Sequence, residues 1–136
     1  MIIRSLITAL LIAAPAAATD LTVNFTVTDV PTGQIMMNLF DSEAAHDSNT
    51  GPVRQAAVPV KDGKAVATFA GLAPGRYAIK AFHDIDGDGQ MGMTPFGMPS
   101  EPFAFSNNAQ PQGGPAPWSA SNFTVDGTTT TAITIK

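Results

Sequence analysis

Residues 69–77 read FAGLAPGRY, and this segment carries the clearest information about the fold. Pro74-Gly75 predicts a tight turn, because proline fixes φ and glycine accepts backbone conformations that other residues avoid. Tyr77 should enter the core with its hydroxyl bonded to a backbone group. The segment therefore predicts a corner between two strands of a sandwich.

Short stretches of alternating apolar and polar residues surround this corner, as half-buried strands require. The predicted strands cover 21–27, 35–40, 53–60, 65–69, 76–82, 121–125 and 128–135. Asp62-Gly63 and Asp126-Gly127 each separate two such runs, and Asp-Gly at that position predicts a hairpin. About seven strands with turns at this spacing predict an all-β fold, an antiparallel immunoglobulin- or transthyretin-like β-sandwich. One long segment, 84–118, is predicted to be a loop in the C-terminal half.

Two resemblances to known families extend this interpretation. The pattern F-x-x-L-x-P-G-x-Y of residues 69–77 resembles the corner of transthyretin-like and carboxypeptidase-regulatory-type β-sandwiches. This resemblance implies that Leu72 closes the open end of the sandwich. A longer pattern resembles the bacterial secreted family called domain of unknown function 2141. It consists of F-H-D at 82–84, D/N-G-N/D-G at 86–89, F-G-x-P-x-E at 96–101 and F-S-N-N at 105–108. This second resemblance implies the fold and an exported location, but the family has no established activity.

The first 18 residues are organised like a secretory signal peptide. Arg4 precedes an apolar run at 6–14, and Ala16-Ala17-Ala18 fits a small-x-small cleavage rule. The run is well short of the roughly 20 residues that a membrane span needs, and no second apolar run follows. We therefore expect no transmembrane segment, and export to the periplasm or the extracellular space. Residues 19–136 are then expected to form a single β-sandwich domain.

The charge and the cysteine count exclude several classes of function. The formal net charge is −4, and removal of Arg4 makes it −5. Such an acidic chain does not suit nucleic acid, whose phosphates need basic partners. The chain has no cysteine, which excludes disulfides and thiol chemistry. The expected partner is an envelope protein or a small ligand of unknown identity.

Residues 83–92, HDIDGDGQMG, contain the first half of a calcium loop. Asp84, Asp86 and Asp88 occupy positions 1, 3 and 5, and Gly89 provides the bend at position 6. The Gln90 carbonyl falls at position 7, where a backbone oxygen normally binds the ion. The pattern predicts a calcium site, with a turn whose carboxylates cap backbone N–H groups as the alternative.

The second half of the calcium pattern is missing. Position 9 is Gly92, and position 12, where a bidentate glutamate belongs, is Pro95. Glu101 would have to fold back to supply a fourth carboxylate. With so few ligands we expect weak affinity, on the order of 10⁻⁴–10⁻³ M, as in extracellular calcium modules.

His83 and three methionines suggest two other functions. His83 beside a carboxylate would suit a small secreted hydrolase, but no nucleophile accompanies it. His83 with Met91, Met93 and Met98 would suit a periplasmic copper carrier, because thioethers and imidazole bind Cu(I). Methionines also fill irregular gaps in cores, and a histidine at a strand end commonly pins a loop. We therefore expect a protein without catalytic activity.

Aromatic and amide side chains bracket the long 84–118 loop. They either line a ligand groove or fasten the loop to the sandwich, because an unanchored loop of this length is unusual. The candidate binding-loop residues are His83, Phe96, Phe105, Asn107, Asn108 and Trp118. Since binding residues concentrate on loops held by a rigid scaffold, the sequence predicts an exported binding or accessory module.

Overall fold

The computed structural model describes residues 19–136, which form eight strands in two sheets around one core. In chain order the elements are β1 (Thr19–Val27), β2 (Gln34–Phe40), α1 (Glu43–Ser48), β3 (Arg54–Pro59), β4 (Lys64–Leu72), β5 (Gly75–Asp84), β6 (Phe103–Phe105), a 3₁₀ helix (Ser106–Asn108), α2 (Trp118–Ser121), β7 (Phe123–Val125) and β8 (Thr129–Ile135). The predicted all-β sandwich is confirmed. The predicted signal peptide, 1–18, lies outside the described residues.

The two sheets differ in size and in strand direction. The smaller sheet has the order β4-β1-β8, and the larger has the order β3-β2-β5-β6 with β7 also paired to β5. The β1–β8 pair is parallel, whereas the other strand pairs are antiparallel. The sandwich is therefore antiparallel, as predicted, except at this one pair, which joins distant parts of the chain.

The Asp-Gly turns connect the two sheets. At Asp62-Gly63 both residues have positive φ (52° and 74°), and the Lys64 N–H donates to the Lys61 carbonyl at 3.0 Å. The turn is as tight as expected, yet β3 pairs with β2 and β4 pairs with β1. The predicted hairpin at Asp126-Gly127 is wrong, because β7 pairs with β5 and β8 pairs with β1. Asp-Gly determines the local backbone, whereas the burial of the flanking side chains determines the partner strand.

The core lies between the sheets and consists of alternate residues from the long strands. The largest fully buried apolar side chains in it are Leu21, Val23, Phe25, Ile35, Leu39, Ile79, Val125, Ile133 and Ile135. Each contributes about 1.5–3 kcal/mol relative to an exposed position. With no disulfide in the chain, this apolar burial is the main source of stability.

The corner at 69–77 has the predicted structure. Leu72 is buried at the end of β4, and Tyr77 is buried near the start of β5. The Tyr77 hydroxyl donates to the Ala73 carbonyl at 2.6 Å, and burial raises the pKa of Tyr77. The expected backbone partner of the hydroxyl is therefore Ala73.

A short helix occupies the polar segment between β2 and β3. The Ser42 side chain caps α1 by accepting from the Ala45 N–H at 3.2 Å, and Asn49 ends the helix with a φ of 55°. His46 is the buried residue of α1. The helix places this imidazole against the outer face of the larger sheet, next to Phe40.

Candidate functional site

Asp84 ends strand β5 and organises the loop that follows it. Its Oδ2 accepts from the Gln34 side chain at 2.6 Å and from the Gly89 N–H at 2.9 Å. Its Oδ1 accepts from the Gly87 N–H at 3.0 Å. The side chain is fully buried, so these donors replace the water that a carboxylate otherwise binds.

The loop carboxylates influence each other's pKa. Burial alone would raise the pKa of Asp84, but hydrogen bonds from Gln34 and the loop N–H groups outweigh it and hold the pKa low. The Asp88 N–H acts to lower the pKa of Asp86, but the neighbouring Asp84 and Asp88 carboxylates outweigh it and raise the pKa. The loop therefore concentrates negative charge that a bound cation would stabilise.

Glu101 folds back onto the Asp loop. Its Oε2 accepts from the Ile85 N–H and its Oε1 from the Gly92 N–H, both at 2.7 Å. Only 8% of the residue is exposed. The Glu101 carboxylate therefore joins the two ends of the segment 85–101. The sequence could not show whether Glu101 reaches the Asp loop.

Four carboxylates converge at this point. One oxygen each from Asp84, Asp86, Asp88 and Glu101 can be chosen so that all lie within 4.8 Å of one another. Calcium binds oxygens at about 2.3–2.6 Å, so ligands on opposite sides of the ion lie about 5 Å apart. The spacing fits calcium, with Asp84 and Glu101 on the buried side and Asp86 and Asp88 on the exposed side. The Gln90 N–H donates to Asp88 at 2.9 Å, and its carbonyl stays a predicted ligand.

Gly92 is at position 9 of the calcium pattern and has no side chain that could bind an ion. Its carbonyl accepts from the Ser100 N–H at 2.7 Å, so two chain segments meet there. A Cβ at this position would clash with the Ser100 hydroxyl and lie 3.2 Å from Glu101 Oε1. Glycine therefore leaves the space that Glu101 needs to reach the loop.

Residues 93–99 form a compact hairpin tip beyond the acidic cluster. The Thr94 N–H donates to the Met98 carbonyl at 2.7 Å, and the Gly97 N–H donates to the Thr94 carbonyl at 2.9 Å. Phe96, at the end of the tip, is 92% exposed. Phe96 therefore does not fasten the loop to the sandwich.

His83 lies apart from the acidic cluster. Consecutive strand residues point to opposite faces, so His83 faces the core side while Asp84 faces the outer side. The His83 Nε2 donates to the Thr32 carbonyl at 2.5 Å, and Nδ1 has no partner within residues 19–136. The imidazole pins the strand end, as a structural histidine does, and the structure does not bring it to the four carboxylates.

Asn107 and Asn108 hold the long segment to the sandwich. Both have positive φ, 61° and 49°. The Asn107 amide donates to the carbonyls of Ala120 and Asn122 at 3.2 and 2.9 Å. Asn108 Oδ1 accepts from the Thr134 N–H of β8 at 2.9 Å. These two predicted binding-loop residues thus have anchoring contacts.

Trp118 packs on an aromatic cluster at the other end of the larger sheet. The His46 ring lies between Trp118 and Phe40, with centroid distances of 5.9 and 5.5 Å. Asp47 accepts from His46 Nδ1 at 2.7 Å and from the Trp118 N–H at 3.0 Å. Burial lowers the pKa of His46 and the Lys80 charge lowers it further, although Asp47 opposes both.

A groove of about 1100 Å³ covers the outer face of the larger sheet. The sequence left a ligand groove open as an alternative but did not place it on this face. The register aligns Asn38, Lys80 and Phe105 in one row across the sheet, and Met36, Phe82 and Phe103 in the next. Its walls include Pro111, Met91 and Met98 and the segment 113–115. The sequence does carry one signal for this groove, since β2 and β5 have apolar side chains on both faces. An outer face that lies in water is normally polar.

Within residues 19–136, no helix is long and apolar enough to cross a membrane.

No curated protein matches the chain. Among solved structures, a pilus-presented adhesin is similar at 15% identity with a TM-score of 0.32. The match covers 88% of this chain and 27% of the adhesin chain. The sequence model of a family described as uncharacterized protein conserved in bacteria (DUF2141) matches residues 23–133. The chain therefore belongs to this DUF2141 family.

Proposed function

We propose that the protein is an exported, non-catalytic binding module. Its groove binds the ligand. A divalent cation, which we propose to be calcium, orders the segment between Asp84 and Glu101, and this segment forms one wall of the groove. Export is supported by the signal-peptide pattern of residues 1–18. The groove supports binding, because ligand sites are concave and mostly apolar with a few polar groups.

The observation that carries the cation proposal is the convergence of Glu101 with the Asp loop. An acidic side chain from beyond the hairpin tip meets Asp84, Asp86 and Asp88 within 4.8 Å. Magnesium, with oxygens at about 2.0–2.1 Å, would need a tighter cage with opposite ligands about 4.2 Å apart. Separations of up to 4.8 Å accommodate calcium, and water or a backbone carbonyl would complete its shell of about six to eight oxygens.

A cation at this point would order one wall of the groove. Gly89, Met91 and Met98 line the groove and belong to the segment between Asp84 and Glu101. An ion bound by both Asp84 and Glu101 would fix the two ends of that segment. The groove would then be better formed with calcium than without it.

Thermal unfolding of the purified protein tests the proposal. It is measured in EDTA and then with calcium or magnesium in excess. A ligand that binds only the folded state at a hundredfold excess over its Kd stabilises by about 2.7 kcal/mol. For residues 19–136 this raises the Tm by about 10 °C, using an unfolding entropy of about 2.1 cal/mol/K per residue.

Two variants make the test specific. Asp86→Ala removes an exposed carboxylate that accepts only a 3.3 Å bond from the Asp88 N–H, so its stability in EDTA should change little. It should nevertheless lose the calcium-dependent rise. Asp126→Ala removes an exposed carboxylate between β7 and β8 and should keep it. An equal rise in Asp86→Ala and wild type, or no rise in either, would refute a calcium site at the loop.

A further inference from the structure

We propose that the groove binds an aliphatic acyl chain that ends in a carboxylate, with the carboxylate at Lys80. The inference rests on the proposed binding function of the groove and not on the cation at the Asp loop. It specifies both the chemical class of the ligand and its orientation.

The floor of the groove suits a hydrocarbon chain better than a peptide. Met36, Phe82 and Phe103 form one row of the floor and offer no hydrogen-bonding group. The two floor amides bond to each other, since the Gln55 Nε2 donates to the Asn38 Oδ1 at 3.0 Å. A bound peptide would find few partners for its backbone groups on such a floor, at a cost that an acyl chain avoids.

Lys80 is the cationic group in this apolar floor. Its ammonium donates to the His46 carbonyl at 2.6 Å, lies 3.5 Å from Asn49 Oδ1 and sits 5.5 Å above the Phe40 ring. Within residues 19–136, no carboxylate oxygen lies within 4.0 Å of it. An ammonium has three donors, so one remains available to an anion in the groove.

The environment of Lys80 favours an anionic ligand. Burial lowers the pKa of Lys80, although the more distant Asp47 charge opposes this effect. The Asp47 carboxylate is already engaged by His46 Nδ1 and the Trp118 N–H. A carboxylate on the ligand would pair with the ammonium and offset the free-energy cost of removing the ammonium from water.

The charges at the two ends of the groove determine the orientation. Lys80 lies at the α1 end, where the Asp47 carboxylate also lines the groove but already accepts bonds from His46 Nδ1 and the Trp118 N–H. The other end approaches the acidic loop at Gly89. Lys80 and Asp84 are four residues apart on β5, or about 13 Å along the strand. An anionic head is attracted to the first end and repelled from the second. The tail would therefore lie over Phe82 and reach Met91, whose flexible side chain adapts to apolar ligands.

Calorimetric titration with three ligands of one chain length tests the inference. Decanoate and decylammonium, each below its micellar concentration, and decanol, below its solubility limit, are titrated into the purified protein in EDTA. We expect decanoate to bind at least tenfold tighter than decanol, and decylammonium to bind more weakly still. The same order should hold in calcium, so a missing calcium site and a missing acyl site are distinguishable.

Two substitutions locate the carboxylate. Lys80→Met keeps the length of the side chain without its charge and should bring decanoate to the affinity of decanol. Lys61→Met changes an exposed lysine in the turn between β3 and β4 and should leave both affinities unchanged. Met36→Glu, at a partly exposed floor position, places a negative charge under the chain and should weaken decanoate more than decanol. Unfolding temperatures confirm that each variant is folded.

Three outcomes would overturn the inference. Decanol could bind as tightly as decanoate in the wild type, which would remove the role of the charge. A folded Lys80→Met variant could keep the tenfold preference, which would place the carboxylate elsewhere. An apolar hexapeptide with a free C-terminus could bind more tightly than decanoate, which would identify the occupant as a peptide.

Discussion

Substitution of Asp84 by asparagine tests whether one buried carboxylate holds the whole loop. The carboxylate accepts three hydrogen bonds, two at Oδ2 and one at Oδ1. Asparagine has one oxygen, so its best orientation keeps the Gln34 and Gly89 bonds and turns its NH₂ toward the Gly87 N–H. We expect Asp84→Asn to destabilise the fold even without a cation.

The magnitude follows from these contacts. The lost bond to a charged acceptor costs about 1.5 kcal/mol, the low end of its range, because Gly87 is exposed and its N–H can bind water. The two bonds that remain lose their charged acceptor and weaken by about 0.5 kcal/mol each. The total is about 2.5 kcal/mol, which lowers the Tm by about 10 °C for residues 19–136.

The assay is chemical and thermal unfolding in EDTA, so that no cation contributes. Asp88→Asn is the matched control, since this exposed carboxylate accepts one loop bond, from the Gln90 N–H at 2.9 Å. It should change stability by less than about 0.5 kcal/mol, as surface substitutions usually do. A loss in Asp84→Asn as small as in Asp88→Asn would refute the view of Asp84 as the hub of the loop.

Three further predictions concern other parts of the fold. Tyr77→Phe removes the bond to the Ala73 carbonyl and should cost about 1 kcal/mol in urea unfolding; an unchanged midpoint would contradict the corner assignment. Burial lowers the pKa of His46 below 6.5, so the unfolded chain binds more protons and stability should fall as the pH drops below about 6.5. A His46→Gln variant should lose that pH-dependent component, and if it keeps the full dependence another group is responsible. Gly92→Ala should displace Glu101, and calcium should then raise the Tm less than in wild type; an equal rise would show that the site tolerates the Cβ.

The corner at 69–77 was predictable because its chemistry is local. A Pro-Gly turn, a plug and an aromatic residue lie within nine residues, and their contacts depend little on the rest of the chain. The second Asp-Gly turn shows the limit of such local information, because the hairpin predicted from it is wrong. Its backbone is set locally, but β7 and β8 find partners on different sheets, and that choice depends on burial across the whole domain.

The site was predictable only in part. The alternating Asp84, Asp86 and Asp88 are a local pattern, so the loop was found from sequence. The contribution of Glu101 depends on the path of the segment between, which no local pattern determines. The position of the groove was not predictable, because its floor combines β2, β3, β5 and β6, and the alignment of Lys80 with Phe105 follows from strand register.

The parallel β1–β8 pair also has a consequence for the folding kinetics. Every aligned pair in it, from Leu21 with Thr129 to Val27 with Ile135, is 108 residues apart in the chain. Closing a loop of this length costs about 4 kcal/mol in chain entropy before any pairing compensates it. We therefore expect β8 to dock late and the folding to be slow, as in other folds of high contact order. Until then one edge of β1 remains unpaired, and this edge is where an incompletely folded chain is most exposed to aggregation.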